Sequence, residues 1–191
     1  MKKKSKIILI IAIVCTLICA GWATVRIVKS VQFDFDCKAY LKRAADANTV
    51  ELAKGELGKA IEYIEDNKLT EGVISIFLEN PANDLGFWYQ NIKSAYEELD
   101  NLGENSSALE KTNVLMKLRE SLTDSSDGDS TSVITPEGIT VYPNNVIYFV
   151  WGLLSFILTI VFWIAFCISI DLKLDTDTVQ VRKKVIVKKS A

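Results

Sequence analysis

Two long uncharged segments bracket an acidic middle. Ile7 to Val25 runs 19 residues without a charge, and Val146 to Ile170 runs 25. A bilayer core takes about 20 apolar residues to cross as a helix, because every backbone polar group must find its partner within the segment. In a chain of 191 residues, two such spans leave room for one modest helical domain and no second. The expected order is a basic N-terminus at 1–6, a first transmembrane helix acting as a signal anchor at 7–27, and an extracytoplasmic helical bundle at 28–122. A flexible linker with a turn at 123–145, a second transmembrane helix at 146–170 and a basic tail at 171–191 complete it. The fold class expected is all-α, with about four helices between the spans.

Charge sets the orientation. From Arg26 to Glu137 there are 12 basic and 21 acidic residues, a net of −9, although the whole chain carries only −2. Lys2, Lys3, Lys4 and Lys6 precede the first span, and Lys173, Arg182, Lys183, Lys184, Lys188 and Lys189 follow the second. Basic residues close to span ends favour the cytoplasmic side. Both termini are therefore expected inside a cell membrane and residues 28–145 outside. The acidic middle argues against nucleic acid, which wants a basic face. The bilayer is itself an expected partner: each tail cation near anionic lipid contributes about 1 kcal/mol, while the same charges fix topology.

The first segment shares features with a cleavable secretory signal, since Gly21-Trp22-Ala23 has a small-x-small pattern. Its apolar run is long for that purpose and Trp22 is bulky, so a retained anchor is preferred. Ile18 before Cys19 disfavours a lipoprotein signal.

Reactive side chains are sparse. Cys15, Cys19 and Cys167 lie in the spans, and Cys37 alone would face an oxidising compartment, so the domain has no internal disulfide to form. Cys37 reads as a small buried thiol, with a bridge between two copies as the alternative. The chain has no histidine, and no metal or cofactor is expected. The acidic stretch Asp124 to Asp129 fails as a calcium loop: with Gly128 sixth, Thr123 falls first and Ile134 twelfth, where a bidentate Glu is needed. Glu62 and Asp66 stand one helical turn apart on a polar face rather than in two contrasting environments. No nucleophile motif or phosphate-binding glycine loop occurs, so an enzyme is not expected.

Periodicity places the helices. Cys37, Leu41, Ala44 and Ala47 suit a helix that continues the first span. Val50, Ala53, Leu57, Ala60 and Ile64 step 3, 4, 3, 4, a heptad-like seam whose alanines admit a close neighbour. The run from Val73 to Leu78 is ambiguous between helix and strand and is assigned helix, capped by Thr70 and stopped at Asn80-Pro81. Trp88, Ile92, Ala95, Leu99 and Leu102 form the next stripe, started by Asn83 or Asp84 and ended by Gly103 at positive φ. A last helix starts at Ser106 or Ser107, with Leu109, Thr112, Leu115 or Met116, and Leu122 inward. Thr123 to Ser132 reads as linker, and Ile134 to Tyr142 as strand-like alternation broken by Pro136-Glu137-Gly138.

Two sets of residues stand out as contact surfaces. Phe87-Trp88-Tyr89 cannot all face one core, because each helical step turns 100°. Trp88, Tyr89 and Tyr96 are therefore the candidate interaction surface, with Tyr89 the ring expected to be partly exposed. In the spans, Ala12, Thr16, Ala20 and Thr24 make a small-residue stripe, matched by Gly152, Ser155 and Thr159; such stripes let helices approach closely in lipid.

The general plan, two spans around an extracytoplasmic helical bundle, is similar to the sensory half of bacterial chemoreceptors. About 20 residues follow the second span, too few for a signalling domain on the scale of an independent fold, so any signal would pass through a partner. The first expectation is a membrane-anchored interaction module, an accessory or scaffold subunit that binds a membrane protein or another copy of itself. A ligand-sensing bundle, with its ligand near Trp88 and Tyr96, is the second. An oligomeric pore is the third, weakened by spans that carry no charge.

Overall fold

The computed structural model describes residues 3–77, 80–103, 106–125 and 131–189, with backbone alone at 125, 131 and 172–189. Residues 126–130 of the acidic stretch and the side chains of the basic tail lie outside the described residues. The fold is all-α apart from one small ribbon. In chain order come α1 (Lys3–Phe33), a π turn (Asp34–Lys38), α2 (Ala39–Ala45), α3 (Val50–Asp66), α4 (Leu85–Asn101), α5 (Ala108–Leu122), the strands β1 (Thr123–Ser125) and β2 (Thr131–Val133), and α6 (Asn145–Lys189). The chain divides into two compact units, one of Met1–Val25 with Ile147–Ala191, the other of Arg26–Val146. Two stretches of helix, Lys3–Ala45 and Asn145–Asp171, are long and apolar enough to cross a membrane on length and composition.

In the acidic unit the α3 seam is the buried face. Val50, Ala53, Leu57, Ala60 and Ile64 join Phe33, Cys37, Leu41 and Ala44 from the preceding helical segment in one core. The alanines allow that proximity, and a Cβ built on Gly58 would stand 3.4 Å from the Tyr96 ring. Phe33 packs edge-on against Tyr63, ring centroids 6.1 Å apart. Thr49 separates α2 from α3 as an N-cap, its hydroxyl accepting from the Leu52 amide. One carboxylate is drawn into this apolar interface: Glu56 Oε1 takes both Arg43 Nη2 and Lys59 Nζ at 3.0 Å.

α3 ends at Asp66 with Asn67 as its C-cap, where Asn67-Lys68 reads as a stop in the sequence. Lys68 adopts φ +56°, the Leu69 amide donates to Ile64 O (2.8 Å) and the Lys68 amide to Glu65 O (3.0 Å). This is a Schellman closure, with buried Leu69 packing beside the buried Ile64 of the last turn.

Several local expectations are corrected. Residues 71–77 form no helix: Val73 bridges Asp84, Ile74 N donates to Asn83 O, and Leu85 N to Gly72 O. The β-branched run Val73, Ile74 and Ile76 suits extended backbone better than helix, and Gly72 at φ +103° turns the chain into it. The hydroxyl of Tyr142 donates to Glu71 O at 2.9 Å and lies where a Gly72 side chain would be. Gly103 does not sit at positive φ; α4 ends at Asn101 with Leu102 extended. In α5, Leu118 and Leu122 are buried and Val114 and Leu115 partly so, whereas Leu109 and Met116 face out. That helix carries apolar residues on two sides, and the side set by its fixed start at the Ser107–Glu110 capping box wins. The pairing of Thr123 with Val133 puts a ribbon where a structureless linker was expected. Gly138 at φ +85° then turns the chain into a short 3-10 segment, Ile139–Val141, whose end residues are buried.

Candidate functional site

A cleft in the acidic unit opens between the start of α4, the end of α5 and residues 134–137, with a volume of about 530 Å³. Asp84 organises one wall. Its Oδ1 accepts the Phe87 amide at 3.0 Å and its carbonyl accepts the Trp88 amide, which fixes the first turn of α4 by an ordinary N-cap. That turn then sorts the three consecutive rings by 100° steps. Trp88 (8% exposed) and Tyr89 (9%) turn inward, and Phe87, at 64%, is the ring left at the cleft mouth.

The opposite wall is braced at both peptide groups of one residue. Ile134 N donates to Leu122 O at 2.9 Å, and Ile134 O accepts the Trp88 indole N–H at 3.0 Å. The indole is thereby satisfied and held, as a buried tryptophan requires. Ile92 and Leu122 form the floor, while the carboxylates of Asp84 and Glu137 and the amide side chains of Asn80, Asn83 and Asn91 supply the polar groups. Among the described residues, no lysine or arginine lines the cleft.

The expected surface of Trp88, Tyr89 and Tyr96 is distributed otherwise. Trp88 lines the cleft. Tyr89 is packed inward with its hydroxyl on Glu65 Oε1, and that hydrogen bond together with burial raises its phenol above the usual range. Tyr96 belongs to a different hollow of about 370 Å³, beside Gly58, Glu65 and Lys93. Trp88 and Tyr96 thus share no cavity, and the ring missed from sequence is Phe87. The cue was available: with Asp84 as N-cap, position 88 falls on the buried stripe and 87 falls off it. Cys37 is fully buried, and burial pushes its thiol up to about 12, which removes it from contact with a second copy.

The other unit pairs α1 with α6 antiparallel. Ser5 and Ser169 share a hydrogen bond at 2.6 Å, Trp163 Nε1 donates to Thr16 Oγ1 at 3.0 Å, and Trp22 Nε1 donates to Tyr148 O at 2.7 Å. Ser5, Ala12, Cys15, Cys19 and Trp22 lie on the inward side of α1, and Tyr148, Gly152, Ser155, Thr159 and Ser169 on that of α6. Both sets step by alternating threes and fours or by their sums, seven and ten, the spacing of a left-handed seam. Of the small-residue stripe, Ala12, Gly152, Ser155 and Thr159 are turned inward on the seam; Thr16, Ala20 and Thr24 are exposed, although Thr16 still reaches α6 as the acceptor of the Trp163 indole. A strict four-residue step drifts off a seam of period 3.5. Thr16 and Thr24 instead return their hydroxyls to the carbonyls of Ala12 and Ala20.

No protein family, curated protein or solved structure matches this chain.

Proposed function

We propose that this chain is a two-span cell-membrane protein whose acidic unit is a membrane-proximal helical bundle outside the cytoplasm. In this reading it serves as an interaction module, an accessory or scaffold subunit of a membrane complex. The observation that carries it is the continuity of both ends. The acidic unit Arg26–Val146 runs without a loop into α1 on one side and α6 on the other, the two helices whose apolar composition suits lipid. Flanking lysines at the N-terminus and in the tail support cytoplasmic termini and residues 28–145 outside. An anchored unit of this kind meets a membrane partner in two dimensions, where a small surface suffices because tethering raises the effective concentration.

The test is gentle extraction of the tagged chain from its native membrane, with mass analysis of what stays bound. A defined heteromeric complex is the expected result; a clean monomer or homo-oligomer removes the accessory-subunit reading. A ligand-responsive role is the second reading, favoured by the braced cleft at Trp88, whose volume falls in the range of about 300–1,000 Å³ typical of ligand sites.

A further inference from the structure

We infer that the cleft between α4, α5 and residues 134–137 binds a small organic cation, a protonated amine or quaternary ammonium carried on an apolar body. This inference rests on the ligand-responsive reading.

Three observations select the charge. Among the described residues the lining holds two carboxylates, Asp84 and Glu137, and neither lysine nor arginine. The surrounding segment from Arg26 to Glu137 carries a net −9, so the wider field also favours a cation. The start of α4, the one place where an anion would otherwise gain from helix amides, is largely taken. The amides of Asp84, Leu85, Phe87 and Trp88 donate to Pro81 O, Gly72 O, Asp84 Oδ1 and Asp84 O. A carboxylate offers about four acceptor positions over two oxygens, so the single cap bond to Phe87 leaves Asp84 able to face a cation.

The apolar body follows from the walls. Phe87 leaves most of its ring in water at the mouth, and Ile92, Leu122 and Trp88 form the interior. Aromatic faces attract cations through the ring quadrupole and ammonium groups are favoured ligands of such walls. The wall is preformed as well, because Ile134 is held through both its N–H and its C=O, so binding orders little.

The test uses the full chain in nanodiscs, labelled with 5-fluorotryptophan, with the Trp88 fluorine signal assigned from Trp88→Phe. Benzyltrimethylammonium, benzyl alcohol and 3-phenylpropionate are titrated in turn. The expected result is a saturable shift of the Trp88 signal with the ammonium probe, weakened by added salt, while Trp22, Trp151 and Trp163 stay put. Asp84→Asn combined with Glu137→Gln is expected to weaken that binding about tenfold, the loss of a desolvated charge contact; asparagine keeps the N-cap. If that pair fails to fold, Glu137→Gln alone, at an exposed position, is expected to weaken binding in the same direction. Equal affinity for the neutral or anionic probe, or full ammonium affinity in the variants, would overturn the cation assignment while leaving a ligand cleft. No shift of Trp88 with any probe would overturn the cleft itself and leave the accessory-subunit reading standing.

Discussion

The indole of Trp22 lies over the bare Cα of Gly152: a Cβ built on that glycine would stand 2.6 Å from two ring carbons. The ring is also held by its N–H on the carbonyl of Tyr148, one turn before Gly152 on the same helix, so sliding away would break that bond. Gly152→Ala is therefore expected to destabilise the helix pair by about 1–3 kcal/mol, the range for overpacking a fitted contact. Trp22→Ala removes the obstacle. In a double-mutant cycle, the cost of Gly152→Ala measured by unfolding in detergent should largely vanish in the Trp22→Ala background. An equal cost in both backgrounds would show that the glycine answers to something else.

Phe87 and Tyr89 flank Trp88 and have opposite roles. Tyr89 is buried and its hydroxyl bonds Glu65, so Tyr89→Phe should cost about 1 kcal/mol, the net worth of one such bond. Phe87 is mostly in water, so Phe87→Ser should change stability by less than about 0.5 kcal/mol. Thermal melts of the two variants check the assignment. A large loss for Phe87→Ser would mean that its ring is packed in the native protein.

The seam of α3 and the two apolar segments could be read from sequence because each is a long periodic or uniform pattern whose burial is decided within one element. Several ends are legible too: Asn67-Lys68 marks the close of α3, and Asp84 and Ser107 cap α4 and α5. What no local signal marks is the positive φ of Lys68, at a place where glycine is the usual residue. The extended backbone after Gly72 depends on partners at residues 83–85, supplied by a turn the sequence could not place. For the cleft, the Phe87–Trp88–Tyr89 cluster lies on the turn of α4 that supplies two lining residues, Phe87 and Trp88. Its second wall, Ile134, is set by a hydrogen bond spanning 46 residues, which no local pattern encodes.

Lys68 also gives a stabilising prediction. A side chain in the left-handed region costs about 1 kcal/mol relative to glycine. Because Lys68 lies outside any helix and is exposed, little packing is lost on its removal. Lys68→Gly should raise stability by about 0.5–1 kcal/mol in denaturant unfolding. A loss of stability instead would indicate that the lysine head group makes a contact worth more than the strain it relieves.

Burial of Cys37 predicts a pH dependence with a definite sign. Its thiol is pushed from near 9 to about 12 in the folded chain. Below about pH 9 the thiol is protonated in both states, and its contribution is complete. As pH rises from about 9 towards 12, the unfolded chain releases a proton that the folded chain keeps. Stability then falls, by up to about 1.4 kcal/mol per pH unit from this group. Tyr63, raised by burial, and Tyr89, raised chiefly by its bond to Glu65, act with the same sign above about pH 10. Denaturation midpoints between about pH 8 and pH 10 should therefore decline in the native chain and decline less in Cys37→Ala. The slopes are compared rather than the absolute values, because the alanine also leaves a small void. With Cys15, Cys19 and Cys167 replaced by alanine, a membrane-impermeant maleimide should leave folded Cys37 unlabelled and label it after denaturation. Ready labelling in the folded state would place this thiol at the surface, in reach of a second copy.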